Sequence, residues 1–308
     1  MKIIGLDIGF GYTKVYGDKG KESIPTLVAP FSKGEALTEE EIVEFDSKTY
    51  LIGSRYVDLR GTEFPFTDEY RAMLYYALRN YEGEVIVGLG IPPSWGAKRE
   101  EIEKLYSGRH KFYYKGKLKE LNLKVKVFLQ GWGGYIDYIY NLEGGYQEEK
   151  DVPAIYSDWG FYTIDTIVTE RSYAGGKWVV KPRKPEDATI PKGVSKLLEI
   201  LKMKLEEEGI FLPDIRLLEH YLLSGTRYKK EIDEAKKRWI SEVVSELQRK
   251  YEKYIPYVEK IVIFGGGANL VGELFEMKFG EKKVPVTKLD QFANARGYYK
   301  FLKAVGIK

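Results

Sequence analysis

Two short stretches of this 308-residue chain combine a carboxylate, glycine and threonine in the pattern of a phosphate-gripping turn. The first, at residues 7–14, reads DIGFGYTK, and the second, at residues 158–165, reads DWGFYTID. In each, an aspartate ends an apolar run and a glycine follows two places later. Glycine lets backbone N–H groups approach phosphate oxygens closely, and such a turn presents them as an anion nest. The donors in the first copy are Gly9, Phe10, Gly11 and Tyr12, with Lys14 adding a point charge. Those in the second are Gly160, Phe161, Tyr162 and Thr163. Asp7 and Asp158 are placed to hold a hydrated Mg²⁺ rather than the phosphate, because carboxylate and phosphate repel. Asp165 reads as a residue that orders the second turn. Either stretch alone is equally a β-hairpin carrying a surface aspartate; the repetition makes phosphate binding a hypothesis.

Two other places carry chemistry. The run FGGGAN, residues 264–269, sets three glycines between an apolar strand and a predicted helix, which suits close approach to an adenosine or α-phosphate. It lacks the spacing of the dinucleotide fingerprint and of the Walker A loop. A tight strand–helix connection gives the same residues. Gln130, where VKVFLQ meets GWGG, is a strand-end amide able to orient a water for in-line attack on a γ-phosphate. Gly131, Gly133 and Gly134 behind it allow a helix to pack closely beneath, and Ala293, Ala295 and Gly297 give the last predicted helix a matching small face.

The elements that must position these residues follow from periodicity. Apolar, β-branched runs predict strands on both sides of the turn at residues 9–11, then at 23–28, 42–45 and 49–52. Helical spacing predicts a helix over 68–80, and EVIVGLGIPP is a buried strand stopped by Pro92 and Pro93. A helix over 96–106, a polar hairpin near 111–117 and the strand LKVKVFLQ complete the first half. The chain turns polar at 144–151, and the order then restarts with strands at 154–157, 163–169 and 178–181. Val194, Leu197, Leu198, Leu201 and Leu205 form one helical stripe, and Ile232, Ala235, Trp239, Val243 and Leu247 another over 229–254; both read as core packing. The expectation is α/β, with two related halves around a cleft.

Composition narrows the chemistry. The chain has no cysteine and two histidines, His110 and His220, which removes disulfides, thiolate metal sites, histidine zinc sites and Ser–His–Asp triads. Catalysis must rest on carboxylates, amides, lysines, backbone N–H groups and a bound hard cation. With 49 basic and 46 acidic residues the net charge is +3, and no long basic run suggests direct nucleic-acid binding. No apolar run approaches the roughly 18–20 residues that cross a bilayer. MKIIGLDIG interrupts any signal-peptide core with charge and glycine, so a cytoplasmic location is expected. Abundant Lys, Glu and Tyr hint at a thermophile.

The order Asp-Gly loop, Gln-Gly helix, Asp-Gly loop, triple-glycine turn and Ala-rich closing helix resembles the actin, heat-shock-chaperone and sugar-kinase ATPase superfamily. GLDIGFGYTKV, YLIGSRY, VIVGLGIPPSW, FLQGWGGYI and QFANARGYYKFL look most like prokaryotic and archaeal actin-like proteins of the ParM/StbA type. The resemblance spans residues 7 to about 302. It implies two RNase H-like domains with a nucleotide cleft, at residues 1–148 and 149–289, the closing helix at 290–308 returning to the first. It implies ATP, or GTP, with Mg²⁺ at Asp7 and Asp158, phosphates on the two turns and the nucleoside against Gly265, Gly266 and Gly267. Gly193 and Asn269 join the nucleotide contacts, and Gln130, Asp158 and Asp7 form the catalytic set. Nucleotide state is then expected to become domain angle. The implied partner is the chain itself, as a homopolymer for a cytoskeletal or plasmid-segregating task, with an adaptor or DNA-adaptor protein as a further partner. Phe161 and Tyr162 stand where small residues are common. A non-polymerising nucleotide switch and a small-molecule kinase are the competing functions; the amide of Gln130, suited to water, favours hydrolysis over transfer.

Overall fold

The computed structural model describes residues 2–31, 41–53, 63–183, 189–211 and 215–306. The chain divides into two compact units, Met1–Lys150 with Phe292–Lys308, and Asp151–Gln291.

The first unit opens with an antiparallel meander, β1 (Lys2–Ile8), β2 (Tyr12–Gly17) and β3 (Gly20–Pro25). The strand expected over 23–28 is divided, because β3 ends at Pro25 and a separate β4 (Val28–Pro30) pairs elsewhere. Next come β5 (Glu41–Phe45), β6 (Lys48–Ile52) and helix α1 (Asp68–Ala77). The Thr67 hydroxyl caps α1 by accepting the Tyr70 N–H at 3.2 Å, and Asp68 and Glu69 complement its dipole. Of the motif YLIGSRY, residues 54–56 lie outside the described residues.

Strand β7 (Gly83–Ile91) runs parallel to β1. The helix expected over 96–106 begins as a 3₁₀ segment, Pro93–Lys98, because proline fixes φ and removes a donor there, and becomes α2 (Arg99–Tyr106) afterwards. The hairpin β8 (Gly108–Tyr114) and β9 (Lys117–Leu129) follows, then α3 (Trp132–Ile139). Among the described residues these strands make a nine-stranded sheet, β3-β2-β1-β7-β9-β8-β5-β6-β4.

Strand alternation sorts the residues of β1 and β7 between two faces. Ile4, Leu6, Ile8, Val85, Val87, Leu89 and Ile91 enter one core with Met73 and Leu74 of α1. Gly5, Gly88 and Gly90 belong to the opposite face. A Cβ on Gly5 would fall 1.7 Å from the Ala295 carbonyl oxygen, so a helix backbone lies directly on this strand.

The second unit repeats the opening: β10 (Ala154–Trp159), β11 (Ile164–Ala174) and β12 (Lys177–Arg183) form an antiparallel meander, and the short β13 (Thr189–Ile190) pairs with β11. Helices α4 (Val194–Glu207), α5 (Ile215–Ser224) and α6 (Lys229–Tyr251) precede β14 (Lys260–Phe264), β15 (Glu276–Phe279) and β16 (Lys282–Lys288). The order is β12-β11-β10-β14-β16-β15, with β14 parallel to β10 and β16 parallel to β14. Both sheets therefore share a meander of three strands followed by two parallel additions. The expected stripes of α4 and α6 are buried together, with Trp239 at 0% exposure edge-on to Trp159 at 5.2 Å. Burying each such large side chain stabilises by about 1.5–3 kcal/mol.

The last helix, α7 (Ala293–Ala304), belongs to the first unit and crosses α3. A Cβ on Gly297 would lie 1.8 Å from the Gly133 carbonyl oxygen. The small face expected of α7 is thus two faces, Ala295 on strand β1 and Gly297 on α3. Asp137 of α3 locks the crossing: Arg296 reaches it with Nε at 2.8 Å and Nη2 at 2.6 Å, and Lys300 Nζ stands 2.7 Å from its Oδ1. No described helix is long and apolar enough to cross a membrane.

Candidate functional site

In the first unit, Asp7 pairs with Lys14 across β1 and β2, leaving residues 9–12 as the turn, closed by the Gly9 N–H donating to the Tyr12 carbonyl at 3.3 Å. The Gly11 carbonyl accepts from the Thr26 N–H at 2.9 Å. The described peptide bonds are all trans, so the Tyr12 N–H points the opposite way from that carbonyl. Phe10 is anchored by stacking on Phe64 at 4.9 Å. Thr13, buried, shares a hydrogen bond with Thr26 at 3.0 Å and so supports the turn from behind.

Three expected site residues meet here. Asp7 is 3% exposed, and its Oδ1 accepts the Gln130 amide Nε2–H at 2.7 Å. Its Oδ2 lies 3.7 Å from Lys14 Nζ. The Gln130 backbone N–H extends the β7–β9 register by donating to Ile91 at 2.7 Å. Directly after it, Gly131 takes φ 90°, a left-handed conformation that favours glycine, and starts α3. Its N–H donates to Asn294 Oδ1 at 3.2 Å, a tie to α7 that the sequence reading missed. Because an ionised carboxylate only accepts, Asp7 fixes which end of the Gln130 amide is which. The Oε1 end is then directed away from Asp7, as an acceptor suited to a water.

In the second unit, Asp158 pairs with Asp165, and the Gly160 N–H closes the turn on the Thr163 carbonyl at 2.8 Å. The two turns are therefore equivalent residue by residue: Asp158 matches Asp7, Gly160 matches Gly9, and Thr163 matches Tyr12. The threonines that look equivalent in sequence are offset by one, since Thr13 corresponds to Ile164 and Lys14 to Asp165. Asp165 orders the turn, accepting from Thr163 Oγ1 at 3.1 Å and from Thr189 Oγ1 at 2.6 Å.

Helix α4 holds this second turn through its first donors. The N–H groups of Val194, Ser195 and Gly193 donate to the carbonyls of Gly160, Phe161 and Tyr162 at 3.1, 2.7 and 3.0 Å. With trans peptides, the N–H groups of Phe161, Tyr162 and Thr163 are turned away from α4, all to one side. Donors aligned in this way suit an anion nest made of backbone, which does not depend on the side chains of Phe161 and Tyr162. Gly193 serves by proximity: a Cβ on it would lie 2.5 Å from the Phe161 oxygen, and its own N–H is committed to the turn.

The triple glycine differs from expectation. After β14 there is one 3₁₀ turn, Gly267–Leu270, and then β15, so no α-helix N-terminus stands behind these glycines. Gly265 takes φ +87°, and a Cβ there would meet Asp158 Oδ1 at 2.3 Å. Close approach to Asp158 is what the first glycine provides. Gly267 is pressed against the Trp159 carbonyl oxygen, 2.9 Å from a would-be Cβ, whereas Gly266 has open space and Asn269 is exposed.

The donors suit a hard cation delivered with a phosphate. Among the described residues no group of three or more His, Cys, Asp or Glu side chains could cage a metal. Mg²⁺ commonly takes one or two carboxylates and fills its octahedron with water and phosphate oxygens. Asp7 in the first unit and Asp158 in the second each offer one strand-end carboxylate, a donor of the type that fits that use.

Comparison with known proteins bears on the fold. Residues 5–133 match the family model of the N-terminal domain of actin-like proteins, and residues 157–277 match that of the C-terminal part of the archaeal, MreB-like actin homologue. Among curated protein sequences, none matches significantly. Among solved structures, the native archaeal actin homolog Ta0583 is similar at TM-score 0.77 and 19% identity, over 97% of this chain and 98% of that one. Its complex with ADP gives 0.73 and 18% identity, over 98% and 99%. A 15-stranded ParM filament from Clostridium botulinum gives 0.68 and 16% identity, over 97% and 98%. With family models of actin-like proteins covering residues 5–133 and 157–277, the chain belongs to the actin-like proteins.

Proposed function

We propose that this protein is a nucleotide-dependent filament former that binds and slowly hydrolyses ATP with Mg²⁺. The observation that carries the reading is the repeated hairpin, each copy with an aspartate at the strand end and backbone N–H groups turned to one side. In this reading both turns act on one nucleotide. Phosphates lie on residues 9–12 with Lys14 and on residues 160–163; the nucleoside lies by Gly265, Gly266, Gly267 and Asn269. Asp7 and Asp158 are the residues that would hold Mg²⁺, which would supply charge neutralisation to the phosphates. Gln130, oriented by Asp7, presents its Oε1 to the attacking water; an amide is a weak base, so turnover is slow. A kinase would need a carboxylate base at that place, which favours hydrolysis.

The ADP complex of Ta0583 supports nucleotide binding, and the ParM filament supports self-assembly. A cytoskeletal or DNA-segregating task, served by an adaptor, is the role this reading assigns to the polymer. The test is pelleting and light scattering with Mg-ATP, Mg-GTP or no nucleotide. Pelleting that requires nucleotide is expected. Nucleotide hydrolysis without any pelleting favours a non-polymerising switch instead, and hydrolysis only with a small acceptor favours a kinase.

A further inference from the structure

After α3, residues 142–149 form a loop that exposes two apolar side chains, Leu142 at 45% and Tyr146 at 51%, beside the exposed Glu143, Glu148 and Glu149. The loop is fixed from within. Asn141 Oδ1 accepts the N–H groups of Glu143 at 3.0 Å and Gly145 at 2.7 Å, and the Asn141 N–H donates to the Gly145 carbonyl at 2.9 Å. Gly144, at φ +84°, lies against the end of α7, where a Cβ would meet the Ala304 nitrogen at 2.9 Å. A surface already ordered loses little freedom on docking. No basic residue stands between Leu142 and Glu149, and the adjoining Lys150 is engaged with Gln147 at 2.9 Å.

The opposite charge is gathered at the tip of the second unit. Helix α6 leads back to the start of β14, and its Trp239 packs on Trp159 at the end of β10. The turns of α6 before Trp239 therefore extend about 15 Å past that strand end and carry the α5–α6 connection with them. From Leu223 to Lys230 this connection holds Arg227, Lys229 and Lys230 and no acid. All three cations are exposed, as is Leu223 at 60%. Cations at the start of a helix oppose its dipole, so their placement does not serve the fold. Glu234, one turn along from Lys230, is taken by Lys204. Among the described residues, none of these three cations and none of the three loop glutamates is in an ion pair.

One chain thus carries two exposed apolar surfaces, each flanked by three like charges and opposite to the other in sign. Each is the electrostatic complement of the other, as partner surfaces are. We propose that the 142–149 loop of one copy docks on the 223–230 tip of a second copy, its glutamates against Arg227, Lys229 and Lys230, and Leu142 and Tyr146 against Leu223. Two different surfaces meet, so the contact is heterologous and repeats from copy to copy. The inference rests on the self-assembly reading above and names the surfaces that carry it.

Two charge-reversed forms of the full chain test it by pelleting with nucleotide. One combines Glu143→Lys, Glu148→Lys and Glu149→Lys; the other combines Arg227→Glu, Lys229→Glu and Lys230→Glu. Acid at the start of α6 agrees with its dipole, so the second form keeps its fold. Like charges then face each other, and each form alone is expected to need about ten-fold more protein to pellet, with unchanged mant-ATP affinity. Both sets joined in one chain restore opposite charges and are expected to restore pelleting. Wild-type pelleting of either form, or no recovery in the joined one, overturns the contact while the self-assembly reading stands.

Because the chain has no cysteine, Tyr146→Cys and Leu223→Cys each supply a single thiol for a second measurement. The two variants, one with a size tag, are mixed and oxidised. Mixed disulfide dimers well in excess of either like pair are expected, and a random distribution overturns the contact. If wild type never pellets, the self-assembly reading fails, and the cross-link still decides whether the two surfaces meet.

Discussion

Gln130 and Asp7 are 123 positions apart in sequence, and the amide N–H of one donates to the carboxylate of the other at 2.7 Å. The bond joins the end of β9 to the end of β1. It makes the residue expected to orient water and the residue expected to hold a metal into one unit, each constraining the other's rotamer.

Gln130→Ala is therefore expected to do two things. Turnover falls by about ten-fold or more, while nucleotide affinity changes less than three-fold, because the amide acts on the water and not on the phosphates. Stability falls by about 1.5–3 kcal/mol, the usual worth of a bond to a charged acceptor. Steady-state hydrolysis with mant-nucleotide titration checks the first, and urea unfolding the second. An equal loss of affinity and turnover would make Gln130 a structural residue only.

Gly265→Ala places a methyl group in a left-handed backbone position and against Asp158. Strain of this kind costs about 1–3 kcal/mol, and the methyl displaces the carboxylate. Reduced Mg²⁺-dependent nucleotide affinity together with a lower melting temperature is expected. The neighbouring Gly266→Ala, where space is open and φ is −62°, is the control for stability and keeps the wild-type melting temperature.

His110 gives a pH dependence remote from the candidate site. Its Nε2 is 3.1 Å from the Tyr106 carbonyl, which only accepts, so Nε2 carries the proton and Nδ1 accepts from the Tyr75 hydroxyl at 3.0 Å. Burial, partly offset by the bond to Tyr106, holds its pKa below the ordinary 6.5. The unfolded chain then binds the proton more readily than the folded one. The histidine's contribution is complete above about pH 6.5 and is lost as pH falls toward the lower folded value. Denaturant unfolding from pH 8 to 5 is expected to show this loss in wild type and not in His110→Gln. Equal slopes in the two proteins would remove His110 as the cause.

Much of this was legible in sequence because it is local. An aspartate at the end of an apolar run, with glycine two places on, forces a strand and a turn whatever surrounds them, and the stripes of α4 and α6 name their own buried faces. The helix expected after Gly267 failed because a short run of small residues fits a single 3₁₀ turn as well as a helix start. The offset between Thr13 and Thr163 escaped notice because register depends on which residues pair across the hairpin. The Asn294 tie to Gly131 and the Asp137–Arg296–Lys300 cluster depend on α7 meeting α3 from more than a hundred residues away. No periodicity encodes such a partner. The Gly193–Tyr162 bond was hidden for the same reason at shorter range.

The claim that two hairpins serve one nucleotide is tested most directly by binding stoichiometry. Equilibrium dialysis of Mg-ATP against wild type, Lys14→Ala and Asp158→Ala is the measurement. One nucleotide per chain in wild type, with either single substitution weakening that same site at least ten-fold, is the predicted result. Two nucleotides per chain, or one substitution leaving binding untouched while the other abolishes it, would contradict the account.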